Sequence, residues 1–144
     1  MRINDVLKGK PSQQVVTISP DASVRSLLSL LAEHNVGALI VSSDGETVEG
    51  IVSERDIVRN LQADESILDG QVSAIMTSVV HTCEGNDPVT DLMQVMTDRR
   101  IRHVPVLTNG RLTGIISIGD LVKHRIGELE FERDQLDHYV HQTK

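Results

Sequence analysis

The chain reads as an α/β protein built from two β-α-β-β-α repeats, packed sheet to sheet with pseudo-two-fold symmetry, and followed by a surplus C-terminal helix. Three observations lead there. A stretch of seven residues occurs twice, Gly50-Ile51-Val52-Ser53-Glu54-Arg55-Asp56 and Gly114-Ile115-Ile116-Ser117-Ile118-Gly119-Asp120, at an offset of 64. The helical stripe Val24, Leu27, Leu28 and Leu31 recurs as Val89, Leu92, Met93 and Met96, each at i, i+3, i+4, i+7. A hairpin dipeptide stands at matching places, Asp44-Gly45 and Asn109-Gly110.

Taken in order, Ile3, Val6 and Leu7 form a lead-in helical turn, and Val72, Ile75 and Met76 repeat its spacing before the second half. Short extended segments follow, Val15 to Ile18 and Val79 to Thr82. The first helix is expected to begin near Ser19-Pro20-Asp21, which offers a capping residue and a proline suited to an opening turn. Each helix leads to a strand, Gly37 to Val41 and His103 to Leu107, then to the hairpin dipeptide. The next strand ends in the Gly-x-x-Ser-x-x-Asp turn, and a helix carries Ile57, Val58 and Leu61 or Leu121, Val122 and Ile126. The repeats are set at residues 1–67 and 68–127, with Gln62 to Gly70 as the polar connection. Residues 128–144 form a helical tail whose stripe is Leu129, Leu136 and Val140. It docks on its own chain or a second subunit in the plainer reading, and on a foreign partner in the other.

The Ser and Asp of each duplicated turn stand where a strand hands over to a helix. Unpaired N–H groups and the positive end of the helix dipole collect there, which favours phosphate or hydroxyl ligands. A carboxylate can accept from both hydroxyls of a ribose cis-diol. The plainer reading is that both residues are helix caps. Duplication of the whole turn favours a ligand.

Composition narrows the partners. A net charge of −7 argues against nucleic acid and anionic membrane surfaces, which require basic patches. With only Phe131 and Tyr139 as aromatics, no platform for base stacking exists. The single cysteine, Cys83, excludes an intrachain disulfide and fits a reducing compartment. The residues up to Gln14 contain no apolar signal-peptide core, and no run approaches a membrane span, so a cytoplasmic protein is expected.

Together with the segment Arg102-His103-Val104-Pro105-Val106, the paired turns and the double β-α-β-β-α pattern resemble a tandem pair of CBS domains, a Bateman module, over about Met1 to Gly127. The resemblance implies a homodimer that binds adenosine nucleotides between the repeats, AMP first, with ADP, ATP, NAD(H) or S-adenosylmethionine as further ligands, and that regulates a protein the sequence does not name. Carried over position by position, it assigns ribose to Asp56 with Ser53 and to Asp120 with Ser117. Phosphate falls to Arg102 and His103, with Arg55 as a further donor at the Asp56 site. Val79, Val80 and Ile101 would line the adenine near Asp56, and Val15, Val16, Val36, Gly37 and Ala38 would line it near Asp120. Gly119 leaves its backbone open to a ligand.

The two sites are expected to differ, because the first half has Gly37 and Ala38 where the second has Arg102 and His103. Phosphate needs charge-assisted donors, so the Asp56 site is the better phosphate site. His138-x-x-His141 is too sparse for a metal site, and His34, His81 and His124 read as surface residues. No P-loop, Gly-x-Gly-x-x-Gly or activated nucleophile is present, so no catalytic residues, metal or catalytic cofactor are expected. Two function classes follow: a nucleotide-sensing regulatory module, or a constitutive scaffold with vestigial clefts.

Overall fold

The structure is a computed structural model that describes residues 1–10 and 15–142, at Gln142 the backbone only. Both repeats form as β-α-β-β-α. In the first, β1 (Thr17–Ile18) pairs parallel with β2 (Ala38–Val41) across α2 (Val24–His34), and β2 pairs antiparallel with β3 (Gly50–Ser53), which opens α3 (Glu54–Ala63). In the second, β4 (Cys83–Glu84) pairs parallel with β5 (His103–Thr108) across α4 (Val89–Arg99), β6 (Arg111–Ser117) lies beside β5, and α5 spans Ile118–Gln142. The lead-in α1 is Ile3–Lys8, and its counterpart is a single 3-10 turn, Val72–Ala74.

Several boundaries differ from expectation for identifiable reasons. The second extended segment pairs at Cys83 and Glu84 rather than at Val79 to Thr82, because the register sets Cys83 opposite Val106. The first helix starts at Val24. Ser19 to Ala22 closes a turn, and Ser23 Oγ accepts from Ser26 N at 3.1 Å to cap the helix. In each helix the i, i+3, i+7 positions are buried, whereas Leu28 and Met93 are 41% and 37% exposed. Asn109 and Gly110 both have positive φ, 53° and 80°, and close a two-residue hairpin. Asp44-Gly45 instead lies in the wider loop 42–49, where Asp44 Oδ1 accepts from Glu46 N at 2.8 Å and Thr47 N at 2.7 Å. These N–H groups, Thr47's first, hold the Asp44 carboxyl well below its ordinary range. The polar connection is largely ordered, with α3 reaching Ala63 and a 3-10 turn at Glu65–Asp69. The tail continues α5 without a break, and Thr143 and Lys144 lie outside the described residues.

The described contacts divide the chain into two compact units that cut across the repeats: residues 14–84 with 104–115, and residues 1–13 with 85–103 and 116–144. The larger unit packs Val24, Leu27 and Leu31 of α2 against Leu39, Val41 and Val52, with Ile57, Val72 and Ile75 completing the cluster. Ala38 and Ile40 point to the opposite face of β2 and are buried as well, so a second layer covers that face. Val104 and Val106 of β5, in the same unit, are buried as well. The smaller unit buries Ile3 and Val6 of α1 with Val89, Leu92, Met96 and Leu121.

Each lead-in segment is hydrogen-bonded to the loop before the other repeat's first helix. In the smaller unit, Ile3 N donates to Asp87 O at 3.0 Å, Asn4 N to Gly85 O at 2.9 Å, and Val89 N to Met1 O at 3.1 Å. The larger unit has their counterparts: Val72 N to Ala22 O at 2.8 Å, Ser73 N to Pro20 O at 3.0 Å, and Val24 N to Gly70 O at 3.0 Å. The bridges Arg2 with Pro88 and Gln71 with Ser23 complete the match.

The glycine that opens the first duplicated turn has a packing reason. A Cβ on Gly50 would stand 2.7 Å from Met76 Sδ and 2.9 Å from Thr77 O, and the Thr77 backbone is bridged to Ile51 in both directions. Gly50→Ala is therefore expected to destabilise the protein by about 1–3 kcal/mol. Gly127→Ala, on a helix with open space around it, is expected to stabilise by up to about 1 kcal/mol. Urea unfolding of the two variants checks the opposite signs.

Candidate functional site

Both duplicated turns fold as capping boxes. Ser53 Oγ accepts from Asp56 N at 3.3 Å while Asp56 Oδ2 accepts from Ser53 N at 2.9 Å and from Ser53 Oγ at 3.1 Å. Asp120 Oδ2 accepts from Ser117 N at 2.9 Å, and Asp120 N donates to Ser117 Oγ at 3.1 Å. The next N–H of each helix is met by a carbonyl of its own repeat: Glu54 N donates to Gly37 O at 3.0 Å, and Ile118 N to Arg102 O at 2.8 Å. Orphan donors at both helix starts are thus satisfied, which confirms the capping role. The contacts described on both carboxylates fall on Oδ2. Oδ1 of each carboxylate thus keeps acceptor capacity at the positive end of its helix.

The predicted site residues fall into two groups. Ser53, Arg55, Asp56, Val15, Val16, Val36, Gly37, Ala38, Val79 and Val80 belong to the larger unit. Ile101, Arg102, His103, Ser117, Gly119 and Asp120 belong to the smaller. In the larger unit the Gly37 carbonyl adjoins the Asp56 turn; Ala38 is buried, Arg55 and Val36 are exposed, and Val79 is 84% exposed. Val15, Val16 and Val80 are half-buried. In the smaller unit the Arg102 carbonyl adjoins the Asp120 turn, its side chain is exposed, and Ile101 and His103 are half-buried. A Cβ at Gly119 would meet only Ser117 Oγ, at 3.6 Å, so the chain itself would accept alanine there.

Lys10 was not anticipated from the sequence. Its Nζ lies 3.0 Å from Asp120 Oδ2, with both side chains about three-quarters buried. Burial works against ionisation of Asp120, but the Ser117 N–H and the Lys10 ammonium together outweigh it and hold the carboxyl below its ordinary range. The pair opens onto a groove of about 420 Å³ between α1 and α5, lined also by Met1, Phe131, Lys123 and His124. His124 is not the surface residue expected: its side chain is 20% exposed, and its Nε2, 3.6 Å from Glu128 Oε1, is desolvated beyond hydrogen-bond reach. Signals for these residues are absent locally, because Lys10 and Asp120 stand more than a hundred residues apart.

Comparison with known proteins assigns the architecture. A CBS domain model matches residues 3–63 and again residues 72–127. The chain belongs to the CBS domain family. This CBS-domain pair is 34% identical to the mitochondrial CBS domain-containing protein CBSX3 of Arabidopsis thaliana, over 96% of this chain and 71% of that protein. The crystal structure of the CBS-domain containing protein ATU1752 from Agrobacterium tumefaciens matches at 42% identity and a TM-score of 0.82, over 87% of this chain and 99% of that one. The CBS domain pair of protein MJ0100, solved with 5′-methylthioadenosine and S-adenosyl-L-methionine, shares the fold at a TM-score of 0.77 and 24% identity, over 89% of this chain and 98% of that one. Among the described residues no helix is long and apolar enough to cross a membrane, and no group of three or more His, Cys, Asp or Glu is placed to hold a metal ion.

The depressed Asp120 pKa has a signed consequence. A carboxyl whose folded pKa lies below its unfolded value of about 3.9 contributes stability that is present above that value and lost as pH falls through the folded pKa. Asp120→Asn is expected to be less stable at pH 7 and to lose less on acidification. Urea unfolding of both proteins between pH 7 and pH 2 checks this, and parallel curves would show that the carboxylate contributes nothing.

Proposed function

We propose that this CBS-domain pair is a regulatory module that binds an adenosine-containing ligand and carries no catalytic step. The observation that carries the reading is the duplicated capping box, which fixes two carboxylates at helix starts with Oδ1 capacity left over for a ribose diol. The adenosine ligands of MJ0100, a pair of the same fold, support the ligand class. AMP is the first candidate, with ATP and NAD(H) next, in a reducing cytoplasmic setting that suits the buried thiol of Cys83. Neither nucleic acid nor membrane is a partner in this reading, given the net charge of −7.

Signalling by such a module requires two conformations with different ligand affinity, because a ligand that binds both equally shifts nothing. A homodimer supplies them. Along α5 the residues Val122, Ile126, Leu129, Leu136 and Val140 follow a heptad seam and are each about half exposed or more, which favours pairing of this helix with a second copy. The same exposed seam favours the alternative of a constitutive scaffold.

Thermal unfolding against AMP, ATP, NAD⁺, NADH and S-adenosylmethionine separates the readings. Ligand at about 100 times its Kd is expected to raise Tm by roughly 5–10 °C. That shift should shrink in Asp56→Asn or Asp120→Asn, whichever turn holds the ligand. No shift with any of these compounds would favour the scaffold.

A further inference from the structure

We propose that α5 pairs antiparallel with α5 of a second copy, about a two-fold axis at Phe131. This rests on the homodimer reading above and fixes its element, direction and register. The helix has two distinct faces. Leu121 is buried, and His124, Gly127, Glu128 and Phe131 line the groove against α1 of the same chain. Val122, Ile126, Leu129, Leu136 and Val140 lie along the opposite face, each about half exposed or more, and Arg133 fills the gap in their three-and-four spacing. From Leu129 to His141 every residue is exposed. A helical stretch of that length gains little stability in water without a packed face.

Charge decides the direction. In a parallel pair each seam residue meets its own copy, so Arg133 would face Arg133 within the apolar seam and Glu132 would face Asp137. The one favourable contact of that arrangement, Arg125 with Glu130, is a surface pair and does not offset them. In the antiparallel pair Arg133 meets Leu129 of the second copy. Its aliphatic stem packs there while its guanidinium reaches Glu130 of both chains, exchanging the exposed contact it has with Asp134 at 3.5 Å. Toward the seam's ends Val122 meets Val140, Ile126 meets Leu136, and Lys123 stands opposite Asp137. Glu132 meets its own copy at the solvent-exposed rim, where repulsion is screened. A shift by one heptad would leave either Val122 or both Leu136 and Val140 without a seam partner in the second copy, so the charge pattern and the apolar pattern select the same register.

Disulfide trapping and sedimentation equilibrium of the full chain test the proposal. Cys83 is buried, so introduced thiols are read separately from it. A mixture of Ile126→Cys and Leu136→Cys chains is expected to cross-link between the two variants. Neither variant alone should cross-link, because each thiol then lies roughly 15 Å along the axis from its own copy. Lys123→Glu and Asp137→Lys should each weaken dimerisation about two- to thirtyfold, and the two together should restore it, a rescue that a parallel pair does not provide. Leu136→Glu, at an exposed position, should weaken it about a hundredfold or more while the thermal unfolding of the monomer stays unchanged. Self-cross-linking of either cysteine variant would show a parallel pair and overturn the proposal. A dimer that Leu136→Glu leaves intact, or in which the mixed variants do not cross-link, would overturn it too and keep the homodimer reading with another interface. A chain that stays monomeric at every concentration would overturn the homodimer reading itself.

Discussion

The reciprocal exchange of lead-in segments is the constraint from which the rest of the structure follows. Three backbone hydrogen bonds and one bridge tie residues 1–4 to the loop before α4, and their counterparts tie residues 70–73 to the loop before α2. A β-α-β-β-α unit of this size leaves one sheet face uncovered and cannot close a core alone. Exchange joins each repeat to a segment that precedes the other. It also explains why the compact units cut across the repeats: α1 groups with α4 and α5, while the second sheet groups with the first repeat.

The same exchange gives the duplicated turns unequal electrostatics. As capping boxes they are alike, each with serine and aspartate satisfying the other's backbone. Among the described residues only Asp120 of the two pairs with a cation, Lys10, two residues beyond α1. The two turns thus present chemically distinct carboxylates within matching capping boxes.

The capping boxes hold the two carboxylates in one geometry. α5 runs unbroken over Ile118–Gln142. Its exposed apolar seam lies on the same rigid element as Asp120.

The fold was legible in the sequence because its signals are local. Apolar spacing marked α2 and α4, the Asn109-Gly110 dipeptide marked a tight hairpin, and Ser and Asp three residues apart marked both helix starts. Where pairing rather than propensity decides, local signals failed. The β-branched Val79 and Val80 lie outside any strand, while Cys83 and Glu84 pair with β5. Leu28 and Met93 fit an apolar stripe yet stay half exposed, because burial depends on what each helix packs against. Sequence by itself determined the duplication, the element types and the two aspartates, each through interactions within a few residues. Tertiary structure alone decided that Lys10 meets Asp120 and that His124 loses its solvent, since these depend on the packing of α1 against α5, elements from opposite ends of the chain.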